Sequence, residues 1–451
     1  MVEGPLLILV LVLTIVFIIW GTSKLKIHPF LVLLTATFLV GFLSGMPFST
    51  IVESINGGFG GLMTGIGLVI VLGTIIGVIL EKSGAALKMA EIIIRIIGEK
   101  HPQLAMSLIG ALVSIPVFCD SGYVILSSLK KAMAKKANVA LASMSIALGT
   151  GLYATHTLVP PTPGPIAAAG NIGVSDYLGL VIMVGIVVAI VAMTVGFIWA
   201  KTIASKIRIE GEDDHISYED VLKQFGKLPS AWKSFAPLVV PIFLIGLSSI
   251  VSVANYEGFG SSFIVFLGSP TVALFIGLLF SLLLLPSFQS KQLNTFVSEG
   301  IQHAAPILLI TGAGGALGRA LSNTSLSDLI QGISETEMLT GAFFLLIPFL
   351  IAAGLKTAQG STTAALVVTS ALVAPLLPNF GIETPLQLAL VVMAIGAGGM
   401  TVSHANDSYF WVVTQFSGMQ VKDAYKAHTM ATLLQGIAAF LTTFVLYLLF
   451  V

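Results

Sequence analysis

Charge is scarce in this chain: 9% of its 451 residues are Asp, Glu, Lys or Arg, against about 25% in a typical soluble domain. Neither sign dominates, with 21 basic and 21 acidic residues, so no basic excess marks a nucleic-acid partner. The single cysteine, Cys119, rules out an intrachain disulfide and leaves the redox compartment open. Also missing are the ~10-residue alternating segments of a transmembrane β-barrel.

What is there is apolar. Hydrophobic residues make up 56% of the chain, and the mean hydropathy is +1.01. Apolar runs fall near 5–20, 29–45, 61–80, 103–128, 138–158, 177–200, 236–254, 262–285, 301–321, 340–377, 386–411 and 429–450. Runs of that length predict a polytopic helical protein whose solvent is the lipid bilayer. Glu3 precedes the first run, and Lys24 and Lys26 follow it. A cleavable signal carries its positive charges first, so the positive-inside rule places the N-terminus outside. Lysines at 82–100, at Lys130, Lys131, Lys135 and Lys136, and at 201–233 mark the cytoplasmic side. The uncharged stretch 159–175 reads as external. So does 322–340, which holds Asp328, Glu335 and Glu337 but no Lys or Arg.

The run 103–128 has lysines on both flanks, which predicts a re-entrant hairpin. Its interior "IPVFCDSGYV" has Pro116 and Gly122, which suit a broken helix buried in protein. The run 340–377 reads as its mirror, with "LKTAQGSTTAA" and Gly360 at the tip. Residues 201–234 hold twelve charged residues and read as a cytoplasmic linker between a first repeat, 1–200, and a second, 235–451. "GTGLYATHTLVPP" (149–161) parallels "GAGGMTVSHANDS" (396–408), with His156 matching His404. The predicted fold is therefore an all-α polytopic membrane protein of two inverted-topology repeats. Each has a re-entrant hairpin and a broken transmembrane helix, and the binding site lies where these meet.

Several polar clusters stand inside the apolar runs, where ionisable groups are costly and usually face a site or pathway. In "GLYATHTLVPPTPGP", Pro160, Pro161, Pro163 and Pro165 end the His156 helix near Val159. In "VSHANDSYFW", Ser403, His404 and Asn406 are candidate substrate ligands. Asp407 is a candidate proton carrier, because a carboxylate withdrawn from water binds a proton more readily. Asn406 and Asp407 also suit capping of the following helix. Lys356, with Gln359, Ser361 and Thr362, forms a candidate carboxylate clamp, unless Lys356 snorkels to an interface. Asp120 in "FCDSGY" is a second candidate proton carrier, and His156 and His404 are rivals for that role. No metal cluster or cofactor motif stands out.

"LVPPTPGPIAAA" (158–169), "LLITGAGGALGRAL" (308–321), "AQGSTTAALV" (358–367) and "AIGAGGMTVSHANDSYFW" (394–411) carry a likeness to a known family. The chain resembles the gluconate permeases, or gluconate:proton symporters, of bacterial inner membranes, across almost its whole length. It departs from their common pattern at "FCDSGY", at "TPGP" and at Lys356. The resemblance implies a secondary transporter that imports gluconate or a related sugar acid or hydroxy-carboxylate by proton symport, with the inverted-repeat fold of a wider ion-transporter superfamily and a homodimeric assembly. A D-serine or short hydroxy-acid transporter is the alternative it leaves open, with sodium as the alternative coupling ion. An intramembrane hydrolase needs a nucleophile held by a base, and no G-x-S-x-G elbow is present. A passive channel does not need matched broken helices around one polar site.

Overall fold

The computed structural model describes residues 5–98, 100–209, 227–253, 258, 260–285, 290–324 and 341–451. Among the described residues there is no β-strand. In lipid, backbone polar groups must find partners within their own segment, which favours helices. The first half holds α1 (Pro5–Ile19), α2 (Pro29–Leu43), α3 (Phe48–Lys82), α4 (Ala85–Ile97), α5 (Pro102–Val113), α6 (Cys119–Lys136), α7 (Leu141–Leu158), α8 (Pro163–Ile172) and α9 (Leu178–Thr202). The second holds α10 (Ala231–Val253), α11 (Ser261–Gly268), α12 (Pro270–Leu282), α13 (Ser290–Ser322), α14 (Leu346–Gln359), α15 (Thr362–Val373), α16 (Pro385–Met400), α17 (Ser408–Ser417) and α18 (Val421–Phe450). Proline stands at the start of α2, α5, α8, α12 and α16, where its missing N–H costs nothing and its fixed φ suits the first turn.

Seven helices among the described residues are long and apolar enough to cross a membrane, or eight if the α11–α12 pair is one span. Several apolar runs differ from the helices that contain them. The run 262–285 is bent by 67° between α11 and α12. Helix α13 begins at Ser290 rather than near 301, because its first turns are polar and carry Lys291, Asn294 and Glu299. Helix α3 begins at Phe48, where polar residues and glycines hide a helical start from a hydropathy reading. Of the charged stretch 201–234, residues 210–226 lie outside the described residues, as do 325–340 of the stretch read as external.

Two helices form the centre. All of α7 is buried, and so is α16 from Ala389 to Met400. Around α7 pack α5, α6 and α9; around α16 pack α14, α15 and α18. Helix α5 runs parallel to α7: Ser107 Oγ donates to the Ala147 carbonyl at 3.1 Å, and Thr155 Oγ1 donates to Ala111 at 2.7 Å. Helix α6 runs the other way, since Gly122 faces Leu152 and Gly149 faces Tyr123. The chain therefore reverses between Ser114 and Phe118. It reverses again at Gly360 and Ser361, where α14 ends and α15 begins. Helix α5 is 12 residues long, about 18 Å, which is too short to cross a hydrocarbon core of roughly 30 Å; α15 continues as a 3-10 segment, so that Thr362–Phe380 is long enough to cross.

Candidate functional site

Four helices start in the middle of the molecule. The α7 helix stops at Leu158, and α8 starts at Pro163. Helix α16 stops at Met400, and α17 starts at Ser408. Helices α6 and α15 start just after the two chain reversals. Helix α6 lies parallel to α17: Asp120 sits beside Ser408 at their starts, and Ser127 Oγ donates to the Phe416 carbonyl, at 3.2 Å, near their ends. Helix α8 lies parallel to α15: Gly164 faces Thr363, while Asn171 Nδ2 donates to Val367 O at 3.2 Å and to Ser370 Oγ at 2.8 Å. Tyr153 joins the two pairs, with its hydroxyl 2.8 Å from Thr362 Oγ1 and its ring stacked on Tyr409 at 5.1 Å. Helix N-termini carry unpaired N–H groups and partial positive charge, so four starts brought together favour an anion.

At the centre of that convergence is an ion pair. Lys356 Nζ lies 2.6 Å from Asp407 Oδ2, with the lysine side chain fully buried and the aspartate 5% exposed. Burial this complete excludes snorkelling by Lys356. The ammonium also donates to the Gly360 carbonyl at 3.1 Å, which places it under the α14–α15 turn, and it lies 5.8 Å from the Tyr153 ring centroid. Ser403 Oγ donates to the same Asp407 oxygen at 2.5 Å. The other carboxylate oxygen caps α17 by accepting from Tyr409 N at 3.2 Å, so Asp407 is both cap and ion-pair partner. Asn406 does not cap. Its Nδ2 donates to Thr357 O at 2.7 Å, and His404 Nε2 is 2.9 Å from that same carbonyl. The break before Asp407 holds Val402 at φ +57, a conformation that a β-branched residue adopts only when its surroundings impose it.

The structure thus brings Lys356, Ser403, His404, Asn406 and Asp407 into one cluster, with Gln359 and Thr362 on the adjoining turn. Asp120 joins it through Ser408. Ser361 is exposed and caps α15, accepting from Ala364 N at 3.3 Å. His156 stands to one side, its ring 6.0 Å from that of Phe118. Four of these residues keep buried polar atoms with no protein partner: Asp120 Oδ1, His156 Nδ1, both side-chain polar atoms of Gln359, and Asn406 Oδ1. Each such atom costs roughly 1–3 kcal/mol when left unpaired, so this set is suited to a ligand rich in hydroxyl and carboxylate groups.

Some participants were not apparent from composition or motif. Tyr153 and Tyr409 look like ordinary core aromatics in the sequence. His428 is fully buried, and its Nε2 lies 3.1 Å from Ser403 Oγ. The available signal was a stripe, since His428, Thr432 and Gln435 recur at helical spacing in α18 and all are buried. Lys130, whose charge suggested a cytoplasmic surface, is also fully buried. Its ammonium donates to Tyr123 OH at 3.1 Å and to Phe416 O at 3.2 Å, so it serves the C-terminal end of α17.

Comparison with known proteins fits this architecture. Residues 6–449 match the family described as GntP family permease. The gluconate permease of Pseudomonas aeruginosa is 32% identical over 95% of this chain and 95% of its own length. The D-serine transporter DsdX of Escherichia coli K12 is 32% identical over 97% of each. Among solved structures, the YdaH transporter of Alcanivorax borkumensis superposes with a TM-score of 0.67 at 15% identity, covering 93% of this chain and 98% of that one. Neisseria gonorrhoeae MtrF, described within a class of antimetabolite efflux pumps, superposes with a TM-score of 0.69 at 16% identity, covering 96% and 97%. At those identities the two structures speak for the fold alone.

Proposed function

This chain belongs to the GntP family of permeases, and from that membership we propose that it imports gluconate or a related hydroxy-carboxylate together with a proton. It is an integral membrane transport protein of the gluconate permease family, and we place it in the bacterial inner membrane with its N-terminus outside. The observation that carries the proposal is the buried Lys356–Asp407 pair at the meeting point of four helix starts.

Lys356 has one strong anionic partner, Asp407. A substrate carboxylate can take that place only if the aspartate gives up its charge, because two carboxylates cannot share one buried ammonium without strong repulsion. Protonation of Asp407 therefore frees Lys356 for the substrate, and loss of the substrate restores the pair. Gln359, Asn406 and His404 then hydrogen-bond the substrate hydroxyls, and the helix starts add to the field. In this scheme one proton enters with one monoanion.

We read 1–200 and 235–451 as inverted repeats joined by the 201–234 linker. The symmetric packing supports this: α5 on α7 matches α14 on α16, and the second arm of each reversal lies along the broken helix of the other half. A homodimer is the assembly that the family resemblance implies.

Calorimetric titration of gluconate into the purified protein, in buffers of different ionisation enthalpy, counts the protons taken up on binding. One proton per gluconate is expected, with affinity weakening as pH rises. Binding without proton uptake, but dependent on sodium, would assign coupling to that cation. Binding of D-serine with no response to gluconate would reassign the substrate.

A further inference from the structure

His428 has no part in the scheme above, although it touches its central residues. It lies in a π-helical turn, Tyr425–Thr429, near the start of α18, and such turns are frequent at functional sites. One turn earlier Tyr425 and Lys426 are exposed, and Trp199 Nε1, close to Lys201 at the end of α9, donates to Ala427 O at 3.0 Å. His428 itself is fully buried, with Nε2 3.1 Å from Ser403 Oγ and no protein partner at Nδ1. Thr429 Oγ1 donates to Ser403 O at 2.6 Å, and Ser403 N donates to Thr432 Oγ1 at 3.0 Å, so α18 fixes the serine between histidine and aspartate. The groups facing the ring are Asp407 and Lys356 beyond Ser403, and Tyr409 of α17 at 5.4 Å between centroids.

We propose that His428 and Ser403 form the relay by which the coupled proton leaves Asp407 toward the lysine-bearing face near Lys426. This rests on the proton-coupled reading above. The protonated Asp407 gives its proton to Ser403 Oγ as the serine hydroxyl proton passes to Nε2 of a neutral His428 that carries its proton on Nδ1. The imidazolium so formed releases the Nδ1 proton to water on the inner side. What remains is a carboxylate accepting from Ser403, and an imidazole donating from Nε2 to Ser403. That product matches the observed arrangement, in which Ser403 donates to Asp407 and its oxygen is free to accept from His428. No charge is left over, His428 ends with its proton on Nε2 and exchanges it through water for one on Nδ1 before the next cycle, and the re-formed carboxylate recaptures Lys356, which expels the substrate.

The test uses full-length protein in proteoliposomes, with labelled gluconate as the probe. Two rates are compared: uptake driven by a pH gradient, which requires proton release, and gluconate counterflow, in which the proton can return with the substrate. His428→Gln keeps a donor toward Ser403 but cannot carry a proton, so the ratio of driven uptake to counterflow should fall at least roughly tenfold. Ser403→Ala should shift the ratio the same way, and Ser403→Thr, which keeps the hydroxyl, should restore it; this pair decides the matter if the histidine variant fails to fold. An unchanged ratio in His428→Gln, or equal ratios in the two serine variants, overturns the relay while leaving proton coupling intact. If wild-type gluconate uptake moves no protons, the coupled reading fails and the relay fails with it.

Discussion

Lys356 and Asp407 neutralise each other where the lysine is fully buried and the aspartate nearly so, and this makes each residue a sensitive probe of the other. Removing one partner leaves a buried charge unpaired, at a cost of about 3–5 kcal/mol, whereas replacing both by apolar groups of similar volume is often neutral. Lys356→Gln and Asp407→Asn should therefore each lower thermal stability and stop concentrative uptake. Lys356→Met combined with Asp407→Leu should regain stability without regaining transport. A double variant as unstable as the singles would show that the pair does not act as a unit. Both residues stood out in the sequence, because an ionisable side chain inside an apolar run is conspicuous. Their pairing did not, because each reads as a separate anion or proton site until the α14–α15 turn is laid against the break after α16. His428 was hidden for a different reason: it follows two lysines in "VKDAYKAH" and reads as part of a polar helix start.

The elements around the pair depend on two small features. Gly360 has φ +77, and a Cβ there would meet the Asn406 carbonyl. Gly360→Ala adds a left-handed penalty of roughly 1–2 kcal/mol and pushes the turn off the break, so gluconate affinity should fall together with stability. Full affinity in that variant would show that the turn is not part of the site. At the far end of α17, Lys130 and Ser127 both donate to Phe416 O. Removing both donors, by Lys130→Met together with Ser127→Ala, should loosen α17 against α6 and lower stability by about 1–3 kcal/mol, the cost of a buried acceptor losing its donors. An unchanged melting temperature would make that contact incidental. The positions of the breaks were legible, because Pro160–Pro165 and the polar run 403–408 mark them. The parallel pairing of α6 with α17 and of α8 with α15 was not, because it joins halves far apart in sequence and rests on contacts that leave no local periodicity.

At the scale of the whole molecule, the inverted-repeat reading assigns sides to the chain. On a Cys119→Ser background, a cysteine at Lys136 should react only from the cytoplasmic face and one at Asp176 only from outside. Reaction of both from one side would contradict the re-entrant reading of 103–128. The composition alone indicated a membrane protein, and lysine placement suggested sidedness. The helical starts of α3 and α13 escaped a hydropathy reading because their first turns are polar. Exchange of one carboxylate for another at Lys356 predicts that a proton and a monoanion cross together with no net charge. The most direct test is to add gluconate outside wild-type proteoliposomes loaded with a pH-sensitive dye, with membrane potential clamped and sodium absent. The account predicts internal acidification in step with gluconate entry, at one proton per gluconate and independent of the clamped potential. Gluconate entry without acidification, or entry that requires sodium, would contradict it.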